Sequence, residues 1–92
     1  MSVFTEMAEK IIEKQESIIG SIALDQAKRV EGLHVDWIKH EVSIKGDETK
    51  VIETLVAQYE KIFGQASIAA CKEAVKSIIS QVPQNQIPSL LR

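Results

Sequence analysis

Two apolar helical stripes in this chain change direction at a glycine, and nothing else in the sequence limits the fold as strongly. At 100° per residue, Phe4, Met7, Ala8, Ile11, Ile12, Gln15, Ile18, Ile19 and Ile22 share one broad face, with Glu6, Glu9, Glu13 and Glu16 opposite. Past Gly20 the stripe rotates to Ala23, Leu24, Ala27 and Val30. A straight helix would bury one set and expose the other, so a bend at Gly20-Ser21 is expected, with Ser21 capping the second piece and Gly32 ending it. The pattern returns downstream. Val51, Ile52, Leu55, Val56, Tyr59, Ile62 and Phe63 form one face behind an Asp47 cap. After Gly64 a new face of Ile68, Cys71, Val75, Ile78, Ile79 and Val82 runs from a helix start near Ala66 or Ser67 to Pro83, which cannot continue the ladder.

The two halves superimpose at a shift of 44 positions, residues 8–30 onto 52–74. The shift pairs Glu9 with Glu53, Glu16 with Glu60, Ile18 with Ile62, Gly20 with Gly64 and Lys28 with Lys72. This reads as an internal repeat of a helix–Gly–helix unit, too short in copy number for a solenoid. Between the halves, Leu33, Val35 and Trp37 alternate with polar residues. The phase then slips, so that Ile38, His40, Val42 and Ile44 share parity. That is a strand signal broken by a turn or bulge near Trp37-Ile38 and closed by Gly46-Asp47. The expected fold is mainly α with a minor β part: one domain over residues 1–82, two helix–Gly–helix halves joined by a short strand or hairpin, and an irregular tail over 83–92.

Composition narrows the function. Eleven Lys and Arg against thirteen Asp and Glu give a net charge of −2, which argues against nucleic acid as a partner. Cys71 is the only cysteine, so no intramolecular disulfide forms and a reducing, cytoplasmic setting is expected. The start Met1-Ser2-Val3-Phe4-Thr5-Glu6 has no basic, apolar leader pattern, and the apolar run from Ile18 to Leu24 is far short of a membrane span.

Chemistry-bearing motifs are sparse. Gly20, Gly32, Gly46 and Gly64 are too dispersed for a phosphate-cradling loop, and Ser21 lacks the second glycine of a nucleophile elbow. His34, Asp36, His40 and Glu41 are the one group with metal-ligand chemistry. On a single extended strand His34 and His40 stand about 20 Å apart and share no ion, so they read as surface residues and no metal is expected. The glutamate row of the first helix reads as a solvated face, interleaved with Lys10 and Lys14. Cys71, on an apolar face, reads as a buried structural thiol. Tyr59 reads as core with its hydroxyl at the edge, and Trp37 as core or a partner anchor. No catalytic residue and no cofactor is assigned.

Thirteen Ile, eight Val and five Leu are hard for 92 residues to cover, and small domains in that position often borrow surface from a partner. The expected function is therefore a non-enzymatic protein–protein interaction or regulatory module, an accessory to signalling for example. It self-associates as a homodimer or larger homo-oligomer, with room for another protein partner. The expected interface residues are Ile18, Ile22, Trp37, Ile38, Val42, Ile44, Leu90 and Leu91. The strand at Ile38–Lys45 would offer an unpaired edge, and Ile87, Leu90 and Leu91 would suit a docking helix or fold back on the core. A binder of small molecules or lipid in a gap between the bent helices is the alternative. A small enzyme or redox protein using Cys71, His40 or Tyr59 ranks below it.

Overall fold

The structure is a computed structural model and describes residues 2–92. Helix α1 spans Val3–Ile19, α2 Ile22–Lys28, strand β1 Leu33–Asp36, β2 Glu41–Ile44, α3 Glu48–Phe63 and α4 Gln65–Val75. Three single 3-10 turns follow at Ile79–Gln81, Gln84–Gln86 and Ser89–Leu91. The architecture is mainly helical with one small antiparallel hairpin, as the stripes require.

Side chains start the two long helices. The Ser2 hydroxyl accepts from the Thr5 amide at 3.3 Å, and the Asp47 carboxylate accepts from the Lys50 amide at 3.2 Å, each filling one orphan donor of a first turn. The Ser2 hydroxyl also donates to Glu48 at 2.7 Å, tying the start of α1 to the start of α3.

Both expected breaks occur, and they are alike. Gly20 has φ +74° and ψ −152°, and Gly64 has φ +63° and ψ −146°. That region of backbone space is open to almost nothing but glycine. Each glycine donates its own amide back to the residue four before it, Glu16 at 2.9 Å and Glu60 at 2.7 Å, so each helix closes its last turn before the chain swings away. Ser21 does not cap α2. Its backbone is already helical at φ −62° and its side chain makes no cap bond. The Gly20 carbonyl accepts the Ala23 amide at 3.0 Å instead, so the turn grows straight out of the glycine.

The last helix is shorter than Pro83 alone would allow. It ends at Val75 and gives way to three-residue winding, with Ile78 donating to Val75, Gln81 to Ile78 and Val82 to Ile79. The three-residue winding keeps Val75, Ile78 and Val82 buried while advancing about 2.0 Å per residue instead of about 1.5 Å.

Residues 33–44 form a hairpin rather than one long strand. Leu33 pairs with Ile44, His34 with Ser43, Val35 with Val42 and Asp36 with Glu41. The slip in the sequence pattern is the four-residue loop Trp37–His40, in which the Asp36 carboxylate accepts the Lys39 amide at 3.3 Å and His40 takes φ +56°. Leu33, Val35, Val42 and Ile44 face the helices, and His34, Asp36, Glu41 and Ser43 face out. The expectation of an unpartnered strand at Ile38–Lys45 is thus corrected, because β1 supplies the partner.

One core joins every element. Met7, Ala8, Ile11 and Ile12 of α1 meet Ile52, Leu55, Val56 and Tyr59 of α3, with Ala23 and Ala27 of α2, Cys71 and Val75 of α4, and Leu91. The centre of that core carries an unexpected symmetry. The Gln15 amide donates to the Ser67 carbonyl at 3.2 Å, while the Tyr59 hydroxyl donates to the Ala23 carbonyl at 2.7 Å. Gln15 and Tyr59 are 44 positions apart, and so are Ala23 and Ser67. Each half therefore reaches across to the carbonyl at the equivalent position of the other. The end of α1 lies at the start of α4, and the end of α3 lies at the start of α2.

Candidate functional face

The residues with chemistry are sealed or tied. Cys71 is completely buried among core side chains. Burial pushes its thiol up to about 11, only partly offset by the bond from Gln15 at 3.4 Å, so the sulfur stays protonated at neutral pH. Tyr59 is likewise closed off; burial, and then the neighbouring Cys71, raise its hydroxyl above the ordinary tyrosine range. A thiol reagent should label Cys71 in the native protein about a thousandfold more slowly than in denaturant, because access requires opening of the core. Labelling within seconds under native conditions would mean the thiol is exposed.

Beside these two lies a buried side-chain oxygen that lacks a hydrogen-bond partner among the described residues, the hydroxyl of Ser67. Its desolvation goes uncompensated, so Ser67→Ala should leave stability unchanged or raise it by up to about 1 kcal/mol in a thermal melt. A clear loss would show that the hydroxyl has a partner after all.

The glutamate row is not simply a solvated face. Glu13 is exposed, but the hairpin packs along α1 on the side of the other members. Glu16 accepts the Trp37 indole N–H at 3.1 Å, and Glu9 lines an open groove of about 610 Å³ together with His34, Asp36, His40, Glu41 and Ser43. The hairpin thus brings onto one groove the four residues that an extended strand would have kept apart. Even so, among the described residues no group of three or more His, Cys, Asp or Glu side chains is placed to hold a metal ion.

The expected interface residues part company in space. Ile18 and Ile22 stand at the Gly20 corner with 59% and 48% of their surface exposed, and Ile38 at the hairpin tip is exposed over 100%. Val42 and Leu91 are buried in the chain's own core, and Ile44 and Leu90 are half-buried against it. These four are corrected as surface candidates, because the hairpin and the tail fold inward and use them. Trp37 is half-buried, bonded to Glu16, and its ring lies 4.2 Å from the His40 ring. It anchors the loop to α1 rather than reaching outward.

Two exposed apolar residues were expected in the core. Ile62 and Phe63, at the other corner, keep 39% and 46% of their surface exposed. They sit in the last turn of α3, where the stripe has drifted away from the core. The sequence held the signal, since the 44-residue shift places Ile62 on Ile18 and Phe63 on Ile19. Ile18, Ile22, Ile62 and Phe63 are thus the exposed large apolar residues of the two glycine corners. Asp25 and Lys61, both exposed, flank them with opposite charge.

No helix is long and apolar enough to cross a membrane among the described residues. Comparison with protein-family models, with curated proteins and with solved structures finds no match for this chain.

Proposed function

We propose that the chain is a non-enzymatic protein–protein interaction module with a regulatory or accessory role, and that it pairs with a second copy of itself through the glycine-corner face. The observation that carries this reading is that four of the five exposed large apolar residues, Ile18, Ile22, Ile62 and Phe63, flank the two glycine corners, Ile38 at the hairpin tip being the fifth. Apolar residues scattered singly need no explanation, whereas a grouped set rimmed by charge fits a docking face. Asp25 and Lys61, both exposed and close in sequence to these residues, give each copy one charge of either sign to offer the other in a two-fold pairing.

Four large side chains make a small interface. Association should therefore be weak, on the order of tens of micromolar, at the low end of the size range for specific complexes. Ile18→Lys or Ile62→Lys should raise the dimer dissociation constant at least about tenfold, with little change in melting temperature at Ile18, which is 59% exposed, and a larger one at Ile62, which is 39% exposed. If either substitution unfolds the chain, that residue belongs to the core. If neither changes the solution mass at any concentration, the face does not pair copies.

A second reading, a small-molecule binder, has one observation in its favour: the groove along the hairpin and α1. Its wall of Glu9, His34, Asp36, His40, Glu41 and Ser43 suits a small polar or cationic ligand better than a lipid. Native mass spectrometry separates the two readings, since one predicts a second chain and the other a small added mass.

A further inference from the structure

Residues 83–92 lie on the body of the protein in the way a bound peptide lies in its receptor. Pro88 is fully buried, Leu91 is buried between α3 and α4, and Ile87 and Leu90 are half-buried. One carboxylate reads the segment. Glu53 accepts the Ser89 amide at 3.1 Å, the Ser89 hydroxyl at 2.6 Å and the Leu90 amide at 3.1 Å. Thr49, one turn earlier, donates its hydroxyl to the Gln86 carbonyl at 2.9 Å. Burial alone would raise the Glu53 carboxyl, but the bonds from Ser89 and Leu90 and the charge of Arg92 outweigh it and hold it below its ordinary value.

The segment is also separable. Its backbone–backbone hydrogen bonds are all local: Gln86 to Pro83, Ile87 to Gln84, Leu91 to Pro88 and Arg92 to Ser89. Lifting it away breaks no helix or strand, and it leaves an apolar channel that must be refilled. Residues 83–85, when extended, reach about 10 Å from Val82 before Gln86 must be seated.

We propose that this channel is a peptide-docking site whose occupant exchanges between copies, with Gln86–Leu91 of a second copy seating on Thr49 and Glu53 in place of the chain's own segment. The second copy is the occupant because its tail carries the one sequence known to fit, with the same anchors and the same three bonds to Glu53. Exchange of an identical element leaves the contacts unchanged, so its cost is mainly that of bringing two chains together. A short tether holds the chain's own tail at an effective concentration in the millimolar range, so exchange grows as protein concentration approaches that value. The channel lies over the first turns of α3, about 15 Å along the helix from the Gly64 corner. Tail exchange is thus independent of corner pairing, and the two together would join dimers into larger assemblies.

The test uses the full chain carrying Ile18→Lys, which weakens corner pairing at least about tenfold, together with Thr49→Cys and Gln86→Cys. An equal mixture of isotopically light and heavy protein is bridged with a short bis-maleimide at about 10 µM and about 1 mM. The expected result is an intramolecular 49–86 bridge at the lower concentration, and at least about a fivefold rise in covalent light–heavy dimer at the higher. Glu53→Gln added to this chain should leave that dimer fraction nearly unchanged, since both closed forms lose the same bonds, but should speed subunit mixing about tenfold. Bridges confined to single chains at both concentrations would overturn the exchange. Absence of any 49–86 bridge would overturn the docking itself.

Discussion

Gly32→Ala is expected to cost at least about 3 kcal/mol and to lower the melting temperature by more than about 10 °C. Two effects add at this position. Gly32 has φ +86°, where an L side chain is strained, and a Cβ there would lie 2.7 Å from the Lys45 carbonyl oxygen and 3.0 Å from a methyl of Val51. The Lys45 oxygen belongs to backbone that cannot easily retreat, because the Lys45 amide donates to the Gly32 carbonyl at 2.7 Å and continues the hairpin ladder. Gly64→Ala is the matched comparison. Its φ is also positive, at +63°, but nothing lies within 4 Å of the added carbon, so strain acts alone and the cost should be about 1–2 kcal/mol. Equal costs at the two sites would mean that the close approach at Gly32 relaxes freely. A stabilised Gly64→Ala would mean that the corner is simply helical.

Tyr59→Ala should be comparably severe, at about 3–5 kcal/mol, because the ring is fully buried at the centre of the core. Tyr59→Phe separates the hydrogen bond from the packing. It keeps the ring but removes the hydroxyl's bond to the Ala23 carbonyl, which retains its place in the α2 ladder, a loss of about 0.5–1.5 kcal/mol. The bond joins the end of α3 to the start of α2, so Tyr59→Phe should also hasten hydrogen exchange in α2 more than in the first half of α1. Uniform acceleration across the chain would contradict the place given to this bond. Gln15→Leu, at the equivalent position of the other half, should instead loosen the start of α4.

Much of the fold was legible because its strongest determinants are local. A stripe that rotates at a glycine predicts a break there, and Gly20 and Gly64 obey. Asp47 behaves as a cap because its carboxylate has only the next three residues to reach. The errors arise where a distant segment decides. Ser21 reads as a cap in isolation, but the glycine before it already turns the chain. Val42 and Leu91 look like sticky surface until β1 and the body of the protein close over them. The glutamate row looks solvated until the hairpin lands on α1 and Trp37 finds Glu16. The docking of residues 83–92 on Glu53 rests on a contact spanning 36 positions, which no local pattern announces. The corner face was half legible: Ile18 and Ile22 were found from the width of their stripe, whereas Ile62 and Phe63 were hidden by a stripe that runs on past the core.

The pairing of glycine corners is the central functional claim, and sedimentation equilibrium from about 10 µM to about 500 µM tests it most directly. The account predicts a mass that climbs from one chain of 10.2 kDa toward twice that value with a dissociation constant of tens of micromolar, and an Ile18→Lys chain that stays near 10.2 kDa over most of the range while remaining folded. A wild-type mass fixed at 10.2 kDa across the whole range, or a dimer that Ile18→Lys and Ile62→Lys leave intact, would contradict it.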